Sequence, residues 1–119
     1  MHDEKIISPK SKAFALRCIR LYKYLTQTSE IKEYVMSKQM LRSGTSIGAN
    51  IKEGLYAQSR ADFGTKMTIA LKEAAETEYW IELLLESEYI SKEQADSLLY
   101  DCRELIKLLV AITKSVFGK

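Results

Sequence analysis

The chain has 119 residues, of which 46% are hydrophobic and 29% charged, with a formal net charge of +2. This length and composition are typical of one globular domain, so we expect residues 1–119 to form a single unit. No apolar run approaches the roughly 20 residues of a membrane span, and the N-terminus lacks an apolar signal region, which predicts a cytoplasmic protein without a membrane partner. With only 5 Gly and 1 Pro, the sequence favours long helices over a turn-rich β fold.

The first predicted helix runs from about Pro9 to Gln27, with Ser8 as its N-cap and Pro9 at its first position. Residues 1–8 are expected to form a flexible N-terminal tail. At 100° per residue, an apolar face lies opposite a basic one. The apolar face comprises Phe14, Cys18, Leu21, Tyr22 and Leu25.

The second predicted helix runs from about Glu30 to Ala57, with Ser29 as its N-cap. Its apolar stripe consists of Met36, Met40, Ile47, Ile51 and Leu55. Each glycine in a helix interior costs about 1 kcal/mol relative to alanine, so the glycines of this segment indicate a closely packed neighbour. These glycines are Gly44, Gly48 and Gly54.

The third predicted helix runs from about Arg60 to Glu86, where Ser59 is the N-cap and Asp62 favours the positive helix end. Its inner face comprises Phe63, Met67, Ala70, Ala74, Thr77, Ile81 and Leu84 or Leu85. A flank outside this face carries apolar and acidic side chains, which suggests a second buried surface. The predicted subunit interface on this flank is Ile69, Glu73 and Trp80.

The fourth predicted helix runs from about Lys92 to Val116, and it begins with a capping box of Ser91 and Gln94. Its apolar residues alternate by three and four, as in bundles and coiled coils. They are Ala95, Leu98, Cys102, Leu105, Leu109, Ile112 and Val116. Short connections between long helices predict an all-α, antiparallel, up-down-up-down four-helix bundle.

Few residues suited to catalysis or metal binding are present. The only histidine is His2, and the cysteines Cys18 and Cys102 lie far apart on apolar helix faces. We therefore expect no catalytic residue, metal, cofactor or small-molecule substrate. The least favoured alternative is an enzyme with a carboxylate site formed by Glu53, Glu76 and Glu78.

Small and polar side chains recur along helix 2 beside its apolar stripe. The favoured interpretation is a structural hydrogen-bond network with helix 3, in which Thr77 or Glu78 is a partner, and a ligand pocket is the alternative. The predicted network comprises Ser46, Asn50, Glu53, Gly54, Glu76 and Glu78.

The positive charge is concentrated in the first half of the chain, where residues 1–60 have a balance of +6 and residues 61–90 one of −5. Solvation alone explains such a basic face, and contact with a nucleic-acid phosphate backbone is the alternative explanation. No aromatic-interleaved motif for single strands accompanies it. The predicted nucleic-acid-binding residues are Lys10, Lys12, Arg17, Arg20, Lys23, Lys38, Arg42, Lys52 and Arg60.

The segment from Arg42 to Gly54 resembles a signature of a bacterial four-helix-bundle family, the 23S rRNA intervening-sequence proteins. That signature reads roughly Arg-Ser-x-x-Ser-Ile-x-x-Asn-Ile-x-Glu-Gly, and many relatives carry proline at the position of Gly48. The matching residues include Ser46, Ile47, Asn50, Ile51, Glu53 and Gly54. The resemblance continues through Ser59, Asp62, Phe63, Ala70, Leu71, Glu76 and Glu78.

This resemblance implies a bundle that assembles into a ring, typically a homopentamer. Related accessory proteins of diversity-generating retroelements are strongly basic rings that bind nucleic acid and a reverse transcriptase, whereas this chain is much less basic. We therefore expect a non-enzymatic homo-oligomer that binds RNA, a ribonucleoprotein or a nucleic-acid-binding protein through the basic face of helices 1 and 2. The alternative is a protein–protein scaffold or accessory subunit without nucleic-acid contact.

Overall fold

The computed structural model describes residues 2–28 and 30–118, which form four α-helices and no strand. The helices are α1 (His2–Gln27), α2 (Val35–Gly54), α3 (Arg60–Glu86) and α4 (Lys92–Phe117). Consecutive helices pack against each other and α4 packs back against α1, within overall dimensions of 48 × 22 × 19 Å. The predicted all-α class with four helices is therefore confirmed. None of these helices is long and apolar enough to cross a membrane.

One hydrophobic core runs through the bundle, and the predicted apolar faces supply most of it. Leu55 is an exception, because α2 ends at Gly54 instead of the predicted Ala57 and the Leu55 side chain is 51% exposed. The fully buried residues of α2, α3 and α4 with the largest side chains are Met40, Ile47, Ile51, Met67, Ile81, Leu84, Leu105, Leu109 and Ile112.

The first helix begins at His2, so the predicted start at Pro9 is wrong and residues 2–8 of the predicted tail are helical. Ile7 is buried in the core, and the carboxylate of Glu4 pairs with Arg60 at 2.7 Å. These tertiary contacts hold the first turns in place, although a proline inside a helix removes one backbone hydrogen bond.

The second helix begins at Val35, five residues later than the predicted start. The predicted N-cap Ser29 lies outside the described residues. The Glu33 carboxylate accepts hydrogen bonds from the backbone N–H groups of Val35, Met36 and Ser37, at 3.0, 3.0 and 2.7 Å. A single side chain therefore satisfies three of the N–H groups that a helix start leaves without a partner.

The starts of α3 and α4 are as predicted from local signals. Ser59 Oγ accepts a hydrogen bond from the backbone N–H of Asp62. Ser91 and Gln94 form the predicted capping box, in which each side chain binds the backbone N–H of the other residue. Gly118 follows α4 with a φ of 69°, the left-handed conformation that glycine adopts readily at a helix end.

The glycines of α2 permit the close packing that the sequence predicts. A Cβ atom at Gly44 would lie 2.4 Å from Cys18 Sγ on α1, and one at Gly54 would lie 2.6 Å from Met67 Cε on α3. Both distances are shorter than van der Waals contact. The absence of a Cβ at these two positions thus allows α2 to approach both neighbouring helices.

Candidate nucleic-acid interface

The nine basic residues predicted to bind nucleic acid divide into two groups. Four of them form ion pairs with acidic residues of the same chain, which offsets their charge and fixes their direction. The pairs are Lys10 with Glu104 (3.0 Å), Arg17 with Asp101 (2.6 Å), Arg42 with Glu73 (3.2 Å) and with Glu76, and Arg60 with Glu4 (2.7 Å).

The other group consists mainly of lysines on the outward side of α1 and α2. Lys12, Lys23, Lys38 and Lys52 are exposed and have no ion pair with any residue in the described ranges. Lys5 was not predicted as part of this group, but it lies within about 20° of Lys12 and Lys23 around α1 at 100° per residue. The five residues Lys5, Lys12, Lys23, Lys38 and Lys52 are called the lysine face below.

A shallow trough of about 310 Å³ lies within the lysine face, between residues 8–15 of α1 and residues 45–52 of α2. Its walls are mostly small side chains, so the backbones of both helices lie near the surface. Lys12 and Lys52 stand on opposite sides of the trough. The lining residues are Ser8, Ser11, Lys12, Ala15, Thr45, Gly48, Ala49 and Lys52.

Glu4 of α1 and Glu53 of α2 are directed away from the lysine face. Glu4 holds Arg60 at the start of α3, and Glu53 accepts a hydrogen bond from Lys66 Nζ at 2.7 Å. The hydrogen bond from Arg60 holds the pKa of the Glu4 carboxyl below its usual range. The remaining predicted residue, Arg20, is exposed and lines a separate depression towards α4 with Gln94 and Leu98.

The structure does not bring the predicted polar network of α2 and α3 together. Ser46 Oγ donates to the carbonyl oxygen of Arg42, and Asn50 Nδ2 donates to that of Ser46, so both bonds stay within α2. In the buried interior, the cross-helix bond is made by Thr77, one of the two partners that the sequence suggested, whose Oγ1 donates to Ser43 Oγ at 2.7 Å.

The acidic members of the predicted network join separate ion pairs. Glu53 binds Lys66 on one side of α3, whereas Glu78 accepts a hydrogen bond from Arg103 Nε of α4 at 2.7 Å on the other. The third acid, Glu76, lies at the surface of the contact between α2 and α3. These three carboxylates are thus distributed over different contacts and form no common site.

The flank predicted as a subunit interface is partly occupied by contacts within the chain. Trp80 packs against the core and its Nε1 donates to Glu76 at 3.0 Å. This bond, together with the one from Arg42, holds the pKa of the Glu76 carboxyl below its usual range. Glu73 also pairs with Arg42, while Ile69 is 36% exposed. One arginine therefore balances much of the flank's acidic charge.

Both thiols lie in the core. Burial raises the pKa of Cys18 and of Cys102 to about 12, which keeps them protonated and unreactive at neutral pH. Cys102 Sγ donates to the carbonyl oxygen of Ala74 at 3.3 Å. Within residues 2–28 and 30–118, no three His, Cys, Asp or Glu side chains are grouped so as to hold a metal ion.

The chain matches known proteins in two comparisons. Residues 3–111 match the family model described as 23S rRNA-intervening sequence protein. The chain is also similar to a crystal structure of a protein with unknown function from the S23 ribosomal protein family of Bacteroides thetaiotaomicron VPI-5482. The identity is 57% over 94% of this chain and 98% of that chain, with a TM-score of 0.90. No protein with a curated description matches.

Proposed function

The chain belongs to the 23S rRNA-intervening sequence protein family, and from this premise we propose that it is a non-enzymatic protein that binds RNA through the lysine face. The observation that carries the proposal is the grouping of five exposed lysines, without ion pairs to the described residues, on one side of the bundle. Clustered ammonium groups attract phosphates and release the counterions that surround RNA. Burial of both thiols, which raises the pKa of each to about 12, argues against a cysteine nucleophile.

Counterion release sets the size of the expected salt dependence. If each of the five lysines meets one phosphate, the logarithm of the binding constant falls with the logarithm of salt concentration with a slope of about −4.5. Affinity should then decrease by about 500-fold between 50 and 200 mM salt. If the lysine face serves only to solvate the protein, RNA binding should show no such salt dependence.

The proposal is tested by the fluorescence anisotropy of a labelled RNA hairpin titrated with protein at several salt concentrations. The test variant replaces Lys12, Lys38 and Lys52 with alanine. We expect the slope to become shallower by about 2.7, because about 0.9 counterions are released per contact. Binding that stays unchanged in this variant would reject the lysine face as the RNA site.

A matched control removes the same charge from the opposite side of the bundle. Lys72, Lys107 and Lys114 are also exposed lysines without ion pairs to the described residues, and they lie on α3 and α4. Replacing these three with alanine should leave the slope close to that of the wild type. If the slope decreased equally in both triple variants, net charge alone would be what attracts the RNA.

The second candidate function is that of a protein scaffold. In this role, we propose that the protein acts as a homo-oligomer, for which the family resemblance suggests five subunits. Exposed aromatic side chains support it, because tyrosine is enriched in protein interfaces. Tyr79 and Tyr100 of α3 and α4 are 54% and 73% exposed. Such a role requires no nucleic-acid contact.

Self-assembly is tested by sedimentation equilibrium of the wild type and of Ile69→Lys. Ile69 is exposed, so the change spares the core, whereas Trp80→Ala would also disturb core packing. If the flank of α3 is the interface, Ile69→Lys should dissociate the oligomer, whereas Ala75→Lys, at an exposed position about 120° away around the same helix, should not. A monomeric wild type would reject self-assembly altogether.

A further inference from the structure

We propose that the lysine face recognises double-helical RNA in preference to single-stranded RNA, an inference that rests on the RNA-binding role proposed above. Two features of the face carry it. One is the arrangement of the lysines in two rows, and the other is the chemistry of the trough between these rows.

The two rows have lengths suited to a rod-shaped partner. On α1, Lys5 and Lys23 are 18 residues apart, which is about 27 Å at a rise of 1.5 Å per residue. On α2, Lys38 and Lys52 are 14 residues apart, or about 21 Å. Since packed helix axes lie about 8–10 Å apart, the rows run side by side on neighbouring helices, with the trough between Lys12 and Lys52.

This arrangement matches two phosphate strands better than one. A duplex presents two charged backbones on either side of a groove, whereas a single strand presents one backbone and its bases. Lys12 and Lys52, which face each other across the trough, are placed to meet different strands. A duplex can therefore contact both rows of lysines with its two backbones, whereas a single strand can follow only one row.

The trough lacks the groups that hold single strands. Proteins that bind single strands stack bases on aromatic side chains, and the described residues lining the trough include no aromatic one. Its walls are small residues such as Ala15, Gly48 and Ala49. The exposed large apolar residue of α1 nearest this face is Leu16, which is aliphatic. Of the strongly exposed tyrosines, Tyr79 and Tyr100 belong to α3 and α4, whereas Tyr34 and Tyr56 lie just outside the two ends of α2 and do not line the trough.

The shape of the face fits the exterior of an RNA helix. The major groove of A-form RNA is too deep and narrow for side chains, and its minor groove is wide and shallow with 2′-hydroxyl groups at its surface. The lysine face is built from residues of two α-helices, α1 and α2. Contact is therefore expected with phosphates and the shallow groove, and the binding should depend little on base sequence.

The experiment compares the full-length protein's affinity for an RNA duplex of about 16 base pairs, the span of known duplex-binding domains, with its affinity for one strand of that duplex. Both labelled probes are titrated at the same salt concentration. We expect the wild type to bind the duplex at least about 10-fold more tightly than the single strand, after the difference in counterion release between the two probes is taken into account.

Row-specific variants separate the two-row arrangement from a simple effect of charge density. Lys12→Ala with Lys23→Ala removes charge from one row, and Lys38→Ala with Lys52→Ala removes it from the other. Either double variant should lower the duplex preference to about 3-fold or less. The control, Lys72→Ala with Lys107→Ala, should keep the wild-type preference. Circular dichroism verifies that each variant is folded.

Each outcome bears on one of the two proposals. Equal or tighter binding of the single strand, or a duplex preference that survives the loss of either row, would overturn the inference of duplex recognition and leave the RNA-binding role standing. Failure of the wild type to bind either RNA would reject the RNA-binding role itself.

Discussion

Replacing Gly44 with alanine should destabilise the protein, whereas the same replacement at Gly48, one turn later in α2, should not. Alanine gains up to about 1 kcal/mol of helix stability at either position. A Cβ at position 44 would lie 2.4 Å from the Sγ and 3.1 Å from the Cβ of Cys18, which is fully buried. A Cβ at position 48 would meet Ser11 Oγ at 3.4 Å, an ordinary contact distance.

The magnitude follows from the difference between these two environments. Inserting a methyl group into a filled core costs about 1–3 kcal/mol, so the free energy of unfolding of Gly44→Ala should fall by about 0–2 kcal/mol after the gain in helix propensity. Gly48→Ala should be neutral or more stable by up to about 1 kcal/mol. Because the gain in helix propensity is the same at both positions, the free energies of unfolding of the two variants should differ by about 1–3 kcal/mol.

Urea unfolding monitored by circular dichroism measures both variants and a double-mutant cycle with Cys18→Ala. Removing the Cys18 sulfur makes room for the new methyl group, so the Gly44→Ala penalty should shrink by about 1 kcal/mol or more in that background. Equal stabilities of Gly44→Ala and Gly48→Ala would refute the proposed close approach of α1 and α2. So would a penalty at Gly44 that Cys18→Ala does not relieve.

Three further predictions concern the helix cap, the thiols and the response to acid. Glu33→Ala should lower the free energy of unfolding by about 1–2 kcal/mol in urea, because three N–H groups of α2 lose their acceptor, and an unchanged value would contradict the cap. Cys18 and Cys102 should react with a thiol reagent at pH 8 only after unfolding, since the pKa of each is raised to about 12; rapid native-state labelling would contradict their burial. The pKa values of the Glu4 and Glu76 carboxyls are lower in the folded state than in the unfolded state. The two carboxylates therefore stabilise the fold above the unfolded pKa of about 4.3, and this effect is lost as the pH falls through the folded values. Stability measured from pH 6 to pH 2 should therefore decline on acidification, and Glu76→Gln should flatten this decline.

The starts of α3 and α4 could be predicted from the sequence because the residues that set them are close together in the chain. Ser59 caps the N–H of a residue three positions later, and Ser91 exchanges hydrogen bonds with Gln94 over the same spacing. Such caps depend on local geometry alone. Most core positions also followed from the periodic spacing of apolar residues, which requires no knowledge of the neighbouring helix, whereas Ile7, Ile90 and Leu99 were missed.

The starts of α1 and α2 depend on contacts that local sequence signals do not describe. Ser8 and Pro9 are typical of a helix start, yet burial of Ile7 and the pairing of Glu4 with a distant arginine extend α1 by two turns. In α2, the cap is provided by Glu33, a residue that is not among the favoured N-cap types. In both cases a tertiary contact or an uncommon cap outweighs the local preference.

The division of the basic residues also depends on tertiary contacts, and it determines which surface carries positive charge. Lys10 and Arg17 lie on the side of α1 that meets α4, where Glu104 and Asp101 pair with them. Helical spacing alone assigned both residues to the same basic surface as Lys12.

Acids of α3 pair with basic residues at the contacts with α2 and α4, and acids of α4 pair with basic residues at the contact with α1. On the side where α1 packs against α2, the neighbouring helix contributes lysines and small residues instead of acids. The lysine face therefore results from the position of the acids as much as from the number of lysines. If this argument is correct, introducing an acid in the trough, as in Thr45→Glu, should weaken RNA binding more than the same change at the exposed Thr65 of α3. Equal effects at the two sites would mean that overall charge, and not the placement of the acids, determines where RNA binds.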